Sequence, residues 1–271
     1  MKIDQITAVI TGATGGLGRS FSQHLIKQGA TIIMVGRDEN ALEGFKYELL
    51  TQMDVKPNQV HAYVCDLLKN EDRQSLIKYI ENFHSPVNTL INNAGDNEFG
   101  LLEDLTEQRM EKIMQLNTLI PMSLSRSLIL HFSQQEQAQI INIGSTFGSI
   151  GYPGYSVYCS SKFALRGFSE ALRRELADST IAVKYLSPRA TQTSLNSANV
   201  LAMNKELNVA MDSTHDVANQ LLNLLRGRRH ELFIGWPEKF FGKLNQIFPS
   251  LVGRSIIKQL PVIRRYAQSS L

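Results

Sequence analysis

Tyr158 and Lys162 stand four residues apart in the stretch GYPGYSVYCSSKFALRG, where apolar spacing turns helical. Four residues is about one helical turn, so both side chains leave the same face. A phenol, with a pKa near 10, is a poor acid or base at neutral pH. An ammonium beside it favours the phenolate and is expected to draw that pKa toward the working range. Such a pair can give a proton to a carbonyl oxygen or take one from an alcohol. Ser145 lies 13 positions before Tyr158, and Asn117 lies 28 before Ser145. A serine hydroxyl beside the reacting oxygen would hydrogen-bond it and steady the charge developing there. Taken singly, these are a packed tyrosine, a solvated lysine and a strand-end serine. Tyr152 and Tyr155 read as packed aromatics.

A second cluster lies near the start. TGATGGLG (11–18) follows an apolar run and opens an amphipathic one. Between a strand and a helix, bare backbone N–H groups and the helix N-terminus receive a pyrophosphate, and missing side chains permit close approach. Gly12, Gly16 and Gly18 fit GxxxGxG, while Gly12, Gly15 and Gly18 fit GxxGxxG, and the loop alone does not choose. The second strand ends in Val35-Gly36-Arg37-Asp38. An acid at its end would bind a ribose 2′-hydroxyl. Here glycine holds that place and Arg37 follows, whose planar fork suits a 2′-phosphate. The expected cofactor is therefore NADP(H) in preference to NAD(H).

The elements that must position these residues alternate along the chain. Strands are expected at 6–11, 31–36, 60–65, 87–92, 138–145, 181–187 and 231–236. Helices are expected at 20–29, 41–53, 74–83, 105–132 with a bend near Pro121, 157–176 and 214–227. Short apolar strands separated by helices indicate an α/β class, with a mostly parallel seven-stranded sheet covered on both faces. A single doubly wound Rossmann-type domain over 1–238, followed by a helical extension at 239–271, is the expected architecture.

Bulk properties narrow the class further. The chain has 271 residues, 43% of them hydrophobic, and a net charge of +3, which gives no general basis for nucleic-acid binding. No run approaches the roughly 18 apolar residues of a membrane span, and the first residues do not resemble a signal peptide. Cys65 and Cys159 lack metal-ligand spacing, so reduced thiols, no metal and a cytoplasmic location are expected. Residues 239–271 hold Lys239, Lys243, Arg254, Lys258, Arg264 and Arg265 and no acid. Pro249 and Pro261 break this tail into short amphipathic helices. Basic helices of this kind lie peripherally on an anionic membrane face, cap a partner subunit or cover a substrate opening. The stretch 194–213, with Leu195, Val200, Leu201, Met203, Leu207 and Met211, reads as an apolar lid that favours a lipophilic substrate.

Together with NNAG at 92–95, the Asn117, Ser145, Tyr158 and Lys162 spacings resemble the classical short-chain dehydrogenase/reductase family over residues 6 to about 236. The resemblance implies an NAD(P)-dependent oxidoreductase acting between carbonyl and alcohol. It selects Gly12, Gly16 and Gly18 as the working glycines, with Thr14 and Leu17 in the same loop, and leaves Gly15 incidental. It implies that Lys162 also binds the nicotinamide ribose and that Asn117 holds a water in a proton relay. Asp66 and Leu67 would sit by the adenine, and Asn93, Ala94 and Gly95 by the cofactor's middle. Pro188 and Thr193 would lie by the carboxamide. In that last stretch Arg189 replaces the family's glycine and Thr191 an aliphatic residue, which puts the local backbone conformation in question. A homo-dimer or homo-tetramer packed through 105–132 and 157–176 is also implied. The other reading is a non-catalytic dinucleotide sensor, or a membrane-surface adaptor, acting through its tail. The intact Ser145, Tyr158 and Lys162 favour the enzyme, reducing a hydrophobic ketone or aldehyde.

Overall fold

Alternation within the first strands shows why the sheet is covered on both faces. In β1 (Thr7–Thr11), Ala8 and Ile10 enter one core and Val9 the other. In β2 (Thr31–Gly36), Ile32 and Met34 enter the first core, and Ile33 and Val35 the second. This is the period-two geometry of a strand with no solvated face. The computed structural model describes residues 1–193, 196–236 and 238–268. The remaining strands are β3 (Val60–Val64), β4 (Thr89–Asn92), β5 (Ala138–Ile143), β6 (Ile181–Ser187) and β7 (Glu231–Phe233). They form one parallel sheet in the order β3-β2-β1-β4-β5-β6-β7.

Helices cover each face. The first core takes α1 (Gly16–Lys27), α2 (Glu39–Gln52) and α8 (Thr214–Arg226) through Phe21, Phe45 and Leu221. The second takes α3 (Asn70–Glu81), α5 (Ile120–Ser133) and α6 (Ser156–Glu175) through Leu76, Leu128 and Leu172. The strand order reverses between β1 and β4. Parallel strands splay their following loops apart at such a point, leaving a crevice at their carboxyl ends. The glycine loop, NNAG, Ser145 and the Tyr158–Lys162 pair line one cavity there.

Three boundaries differ from expectation in informative ways. Helix α1 begins at Gly16 rather than residue 20, so the glycine loop supplies its first turn. The 105–132 helix is two helices, α4 (Glu107–Met114) and α5, joined by a π-helical turn at Gln115–Leu119, where Ile120 N–H donates to the Gln115 carbonyl. The break precedes Pro121 because proline has no N–H for the Asn117 carbonyl four residues earlier. Strand β5 ends at Ile143, so Ser145 lies two residues beyond the sheet, not at its last position.

The lid contains α7 (Ala198–Glu206), and the tail forms α9 (Glu238–Ile247), α10 (Pro249–Ile257) and α11 (Leu260–Gln268). A third apolar cluster joins α7 and α11 to α6. Val200 and Met203 of α7 and Ile263 of α11 pack with Tyr155 and Cys159 of the α6 region. Arg265 and Tyr266 of α11 both bond Glu206 of α7. Leu195, expected in the lid, lies outside the described residues. Among the described residues no helix is long and apolar enough to cross a membrane.

Candidate active site

The glycine loop is built to sterics that separate its two spacings. Gly12 has φ +64°, and a Cβ there would lie 2.9 Å from the Ala94 Cα. A Cβ on Gly16 would meet the Thr193 side chain at 2.9 Å, and one on Gly18 would lie 2.2 Å from the Gly12 carbonyl oxygen. At Gly15 the nearest atom would be 3.4 Å away, an ordinary contact. Only GxxxGxG is therefore obligatory. Thr14 and Leu17 complete the loop's wall on a cavity of about 800 Å³, which also takes in Arg37, Asp66 and Leu67.

Hydrogen bonds weld this loop to NNAG across the switch point. The Thr11 hydroxyl accepts from the N–H groups of Asn93 (3.0 Å) and Ala94 (2.9 Å). The Asn93 amide donates to the carbonyls of Thr11 (2.9 Å) and Gly12 (3.1 Å). The loop is thus fixed before any ligand arrives, so binding need not order it. Asp66 is held at the end of β3, its N–H donating to Asp72 and its carboxylate accepting from Leu68 N–H. Arg37 is exposed on the cavity rim. Asp38 does not pair with it but caps α2, accepting from Ala41 N–H at 2.9 Å. These groups, a bare-backbone cradle at a helix N-terminus with a solvent-facing guanidinium beside it, fit a dinucleotide.

Ser145, Tyr158 and Lys162 meet on the same cavity, past Gly95. Ser145 Oγ accepts from Phe147 N–H (3.1 Å), which fixes the side chain and leaves its proton to donate. Thr146 N–H donates to the Pro188 carbonyl (2.9 Å), tying this loop to the strap after β6. Lys162 is buried and its Nζ donates to the Ile143 carbonyl at 3.0 Å. That Nζ lies 5.7 Å from the Tyr158 ring centroid.

The expectation that Lys162 lowers the Tyr158 pKa needs correction. The surrounding chain pushes the phenol up to about 12, with the Ser145 hydroxyl acting in the opposite direction. Lys162 is itself desolvated, and burial draws its pKa down to about 8. Burial of the phenol is the largest cause of its rise and outweighs the help of a neighbouring cation. In this state Tyr158 is a protonated acid, ready to donate.

Asn117 is buried at the π-helical turn, and its side chain is committed to protein partners. Its Oδ1 accepts from Asp96 N–H (2.8 Å), and its Nδ2 donates to the Asp96 carbonyl (2.8 Å) and Ser161 Oγ (2.9 Å). A relay water held by this residue must use its main-chain carbonyl, the one that Pro121 deprives of an α-helical donor.

The departures after β6 resolve into a clasp. No non-glycine residue there has positive φ among the described residues, so Arg189 fits without strain. Its guanidinium bonds Asp212 (2.7 Å) and the Trp236 carbonyl (3.2 Å). Thr191 bridges to Asp212, so the lid's two ends meet at one neck. Val200, Met203 and Leu207 of the lid region and Phe241, Val252, Ile256 and Gln259 of the tail wall the far end of the cavity. Tyr152 crosses to Gln259 with a 2.7 Å hydrogen bond.

Several supporting residues escaped the sequence reading. Tyr185 fills the space beneath the Ser145 loop, where a Cβ on Gly144 would collide with its ring at 2.0 Å. Arg109 clamps Asp96 through two nitrogens, steadying the strut to Asn117. Buried Asn142 links Asn92 to Ser169 inside the sheet (2.8 Å each). For Asn142 a polar residue within an apolar strand was the available signal, since buried polar groups require partners.

Comparison with known proteins agrees with this geometry. The family model of the short chain dehydrogenases matches residues 6–204. The zebrafish (Danio rerio) 3-dehydrosphinganine reductase is 32% identical over 195 residues, covering 71% of this chain and 58% of that protein. The 3-oxoacyl-(acyl-carrier-protein) reductase FabG of Haemophilus influenzae is 30% identical over 181 residues, covering 67% of this chain and 72% of that protein. Among solved structures, a short-chain dehydrogenase of Sphingobium yanoikuyae in complex with NADPH superposes with TM-score 0.77 at 23% identity, over 92% of this chain and 95% of that one. One of Burkholderia phymatum in complex with NAD gives TM-score 0.82 at 22% identity, over 93% and 96%. With a proton donor, a hydroxyl and a lysine gathered beside a dinucleotide cradle, the chain belongs to the classical short-chain dehydrogenases, NAD(P)-dependent oxidoreductases acting on carbonyl and hydroxyl groups.

Proposed function

We propose that this protein uses NADPH to reduce a lipophilic ketone or aldehyde. One observation carries the reading. A single cavity joins the glycine cradle and Arg37 at one end to an apolar chamber of lid and tail at the other, with Tyr158 and Ser145 between them. The dinucleotide, when bound, supplies the hydride. Tyr158 holds its proton and gives it to the carbonyl oxygen as that oxygen gains charge. Ser145, its oxygen already accepting from Phe147 N–H, donates to the same oxygen. Lys162 would orient the nicotinamide ribose, and the Asn117 main-chain carbonyl would hold a water through which the replacement proton arrives. Arg37 bonds the 2′-phosphate, in the absence of an acid at Gly36. The same cradle admits NAD, so Arg37 is the residue on which preference rests.

Two relatives are named as reductases, one of 3-dehydrosphinganine and one of 3-oxoacyl groups on a carrier protein, which supports the reducing direction. We assign residues 1–238 to the catalytic domain and 239–271 to an extension that closes the chamber. Exposed Leu119 and Leu130, at the start and along the length of α5, and Phe163 on α6 support a homo-oligomer through these helices.

The test is a panel of ketones and aldehydes of rising chain length, read by NADPH consumption. Each methylene seated in the chamber should raise kcat/KM about fourfold, from about 0.8 kcal/mol of transfer energy. Tyr158→Phe should abolish turnover while NADPH still binds. Equal turnover along the panel sinks the lipophilic assignment. Undiminished activity in Tyr158→Phe sinks the proton-donor assignment.

A further inference from the structure

Helix α10 has two apolar faces, and the chain covers only one. Val252, Ile256 and Gln259 follow one another at four- and three-residue steps and, with Ser255, face the cavity. Leu251, Arg254, Ile257 and Lys258 point outward, all exposed. In α9, Asn245 is turned inward and donates to the Ser149 carbonyl (3.1 Å), while Phe240, Lys243 and Ile247 point out. Trp236 stacks near-parallel to Phe240, with ring centroids 6.5 Å apart. The outward side chains are large and bare: Trp236 is 70% exposed, Ile247 69%, Ile257 64% and Phe240 51%. Lys243 on α9, Arg254 on α10 and Lys258 just after it are exposed too and make no hydrogen bond or ion pair with any described residue.

We propose that this outer face of α9 and α10, with Trp236 at its edge, docks the protein on an anionic phospholipid bilayer. Charge decides the occupant. Two copies joined by a two-fold axis would set this patch against itself, bringing like charges together. A bilayer with acidic headgroups instead meets Lys243, Arg254 and Lys258 at the headgroup level, while Trp236, Phe240, Ile247 and Ile257 enter the acyl boundary. Tryptophan suits that depth, having an apolar body and a polar N–H. Docked in this way, α10 is a partition one helix thick, about 10 Å, between lipid and the substrate chamber. The docking claim is independent of which carbonyl is reduced.

Trp236 is the chain's one tryptophan, so it reports its own insertion. Full-length protein is titrated with phosphatidylcholine vesicles, with and without phosphatidylserine, following Trp236 emission and co-sedimentation. The expected result is a blue shift and sedimentation with phosphatidylserine vesicles, both weakened by added salt. The exposed triple variant Lys243→Gln, Arg254→Gln, Lys258→Gln should bind these vesicles on the order of 100-fold more weakly, at about fivefold per charge. Unchanged NADPH affinity shows that the variant is folded, and the salt titration on the unaltered protein tests the charge requirement independently. Unaltered Trp236 emission without sedimentation overturns the proposal. Equal binding to pure phosphatidylcholine overturns the anionic assignment. A concentration-dependent Trp236 shift with doubled mass, in the absence of vesicles, assigns the face to a second copy instead.

Discussion

Adding one methyl group at each of two neighbouring glycines should give opposite results. In Gly18→Ala the new Cβ would lie 2.2 Å from the Gly12 carbonyl oxygen, where contacts below 3.0 Å force movement. That oxygen must retreat by about 0.8 Å, the difference between these two distances. It accepts from Asn93 Nδ2 and Gly15 N–H, each at 3.1 Å, and both bonds would be stretched beyond use. At about 1 kcal/mol net each, the loop loses about 2 kcal/mol of its preset geometry. If the ligand must restore that geometry, NADPH binds about 30-fold more weakly. In Gly15→Ala the same methyl meets its nearest atom at 3.4 Å, at a residue with ordinary extended φ and ψ, so affinity should change less than threefold. The assay is quenching of intrinsic fluorescence by NADPH, with a thermal melt on each variant. Near-normal NADPH binding by Gly18→Ala, or equal losses in both, would refute the steric argument.

Lys162→Met should inactivate the enzyme yet stabilise the fold by about 1–3 kcal/mol at pH 7, because an incompletely compensated buried cation is removed. Burial lowers the Lys162 pKa to about 8, so between pH 8 and its ordinary value of 10.5 the unfolded chain binds more protons. Stability of the unaltered protein should therefore rise with pH from about 8 to 9, above which the raised Cys65 and Cys159 thiols oppose it, and urea midpoints over that range should show a shallower rise in the variant, where Lys184 still behaves in this way. A variant no more stable at pH 7, or an unchanged slope, contradicts this. Above pH 10 the raised Tyr158 pKa acts in the other direction, because the folded chain then holds the extra proton. Arg189→Ala should cost about 2 kcal/mol in urea unfolding, since it leaves the mostly buried Asp212 carboxylate without its partner. It should also raise KM more than it lowers kcat, by loosening the lid's neck.

The parts legible in the sequence were those written as local spacing. Tyr158 and Lys162 meet because one turn of helix separates them. The seven parallel strands followed from short apolar runs between amphipathic segments, and β2 and β6 match their expected limits. Through-space partners were not legible. Nothing in the spacing of Arg109 says that it grips Asp96, or that Thr11 would accept from two N–H groups of NNAG. The Tyr158 pKa was misjudged for a related reason. Helix geometry places an ammonium one turn away, but the burial that raises the phenol pKa comes from elements distant along the chain. The tail's basic, apolar composition was plain, but periodicity does not say which face is covered. Only the packing of α10 shows that it has a chamber side and an outer side. The role of Arg189 was likewise hidden, because Asp212 and Trp236 lie far from it along the chain.

Parallel titration of the purified protein with NADPH and NADH, repeated on Arg37→Glu, tests the central claim most directly. A clear preference for NADPH is expected in the unaltered protein, with its loss or reversal when the exposed guanidinium beside Gly36 becomes a carboxylate. Preference for NADH in the unaltered protein would remove Arg37 from the site and favour alcohol oxidation. Binding of neither nucleotide would contradict the reading of the cavity as the seat of hydride transfer.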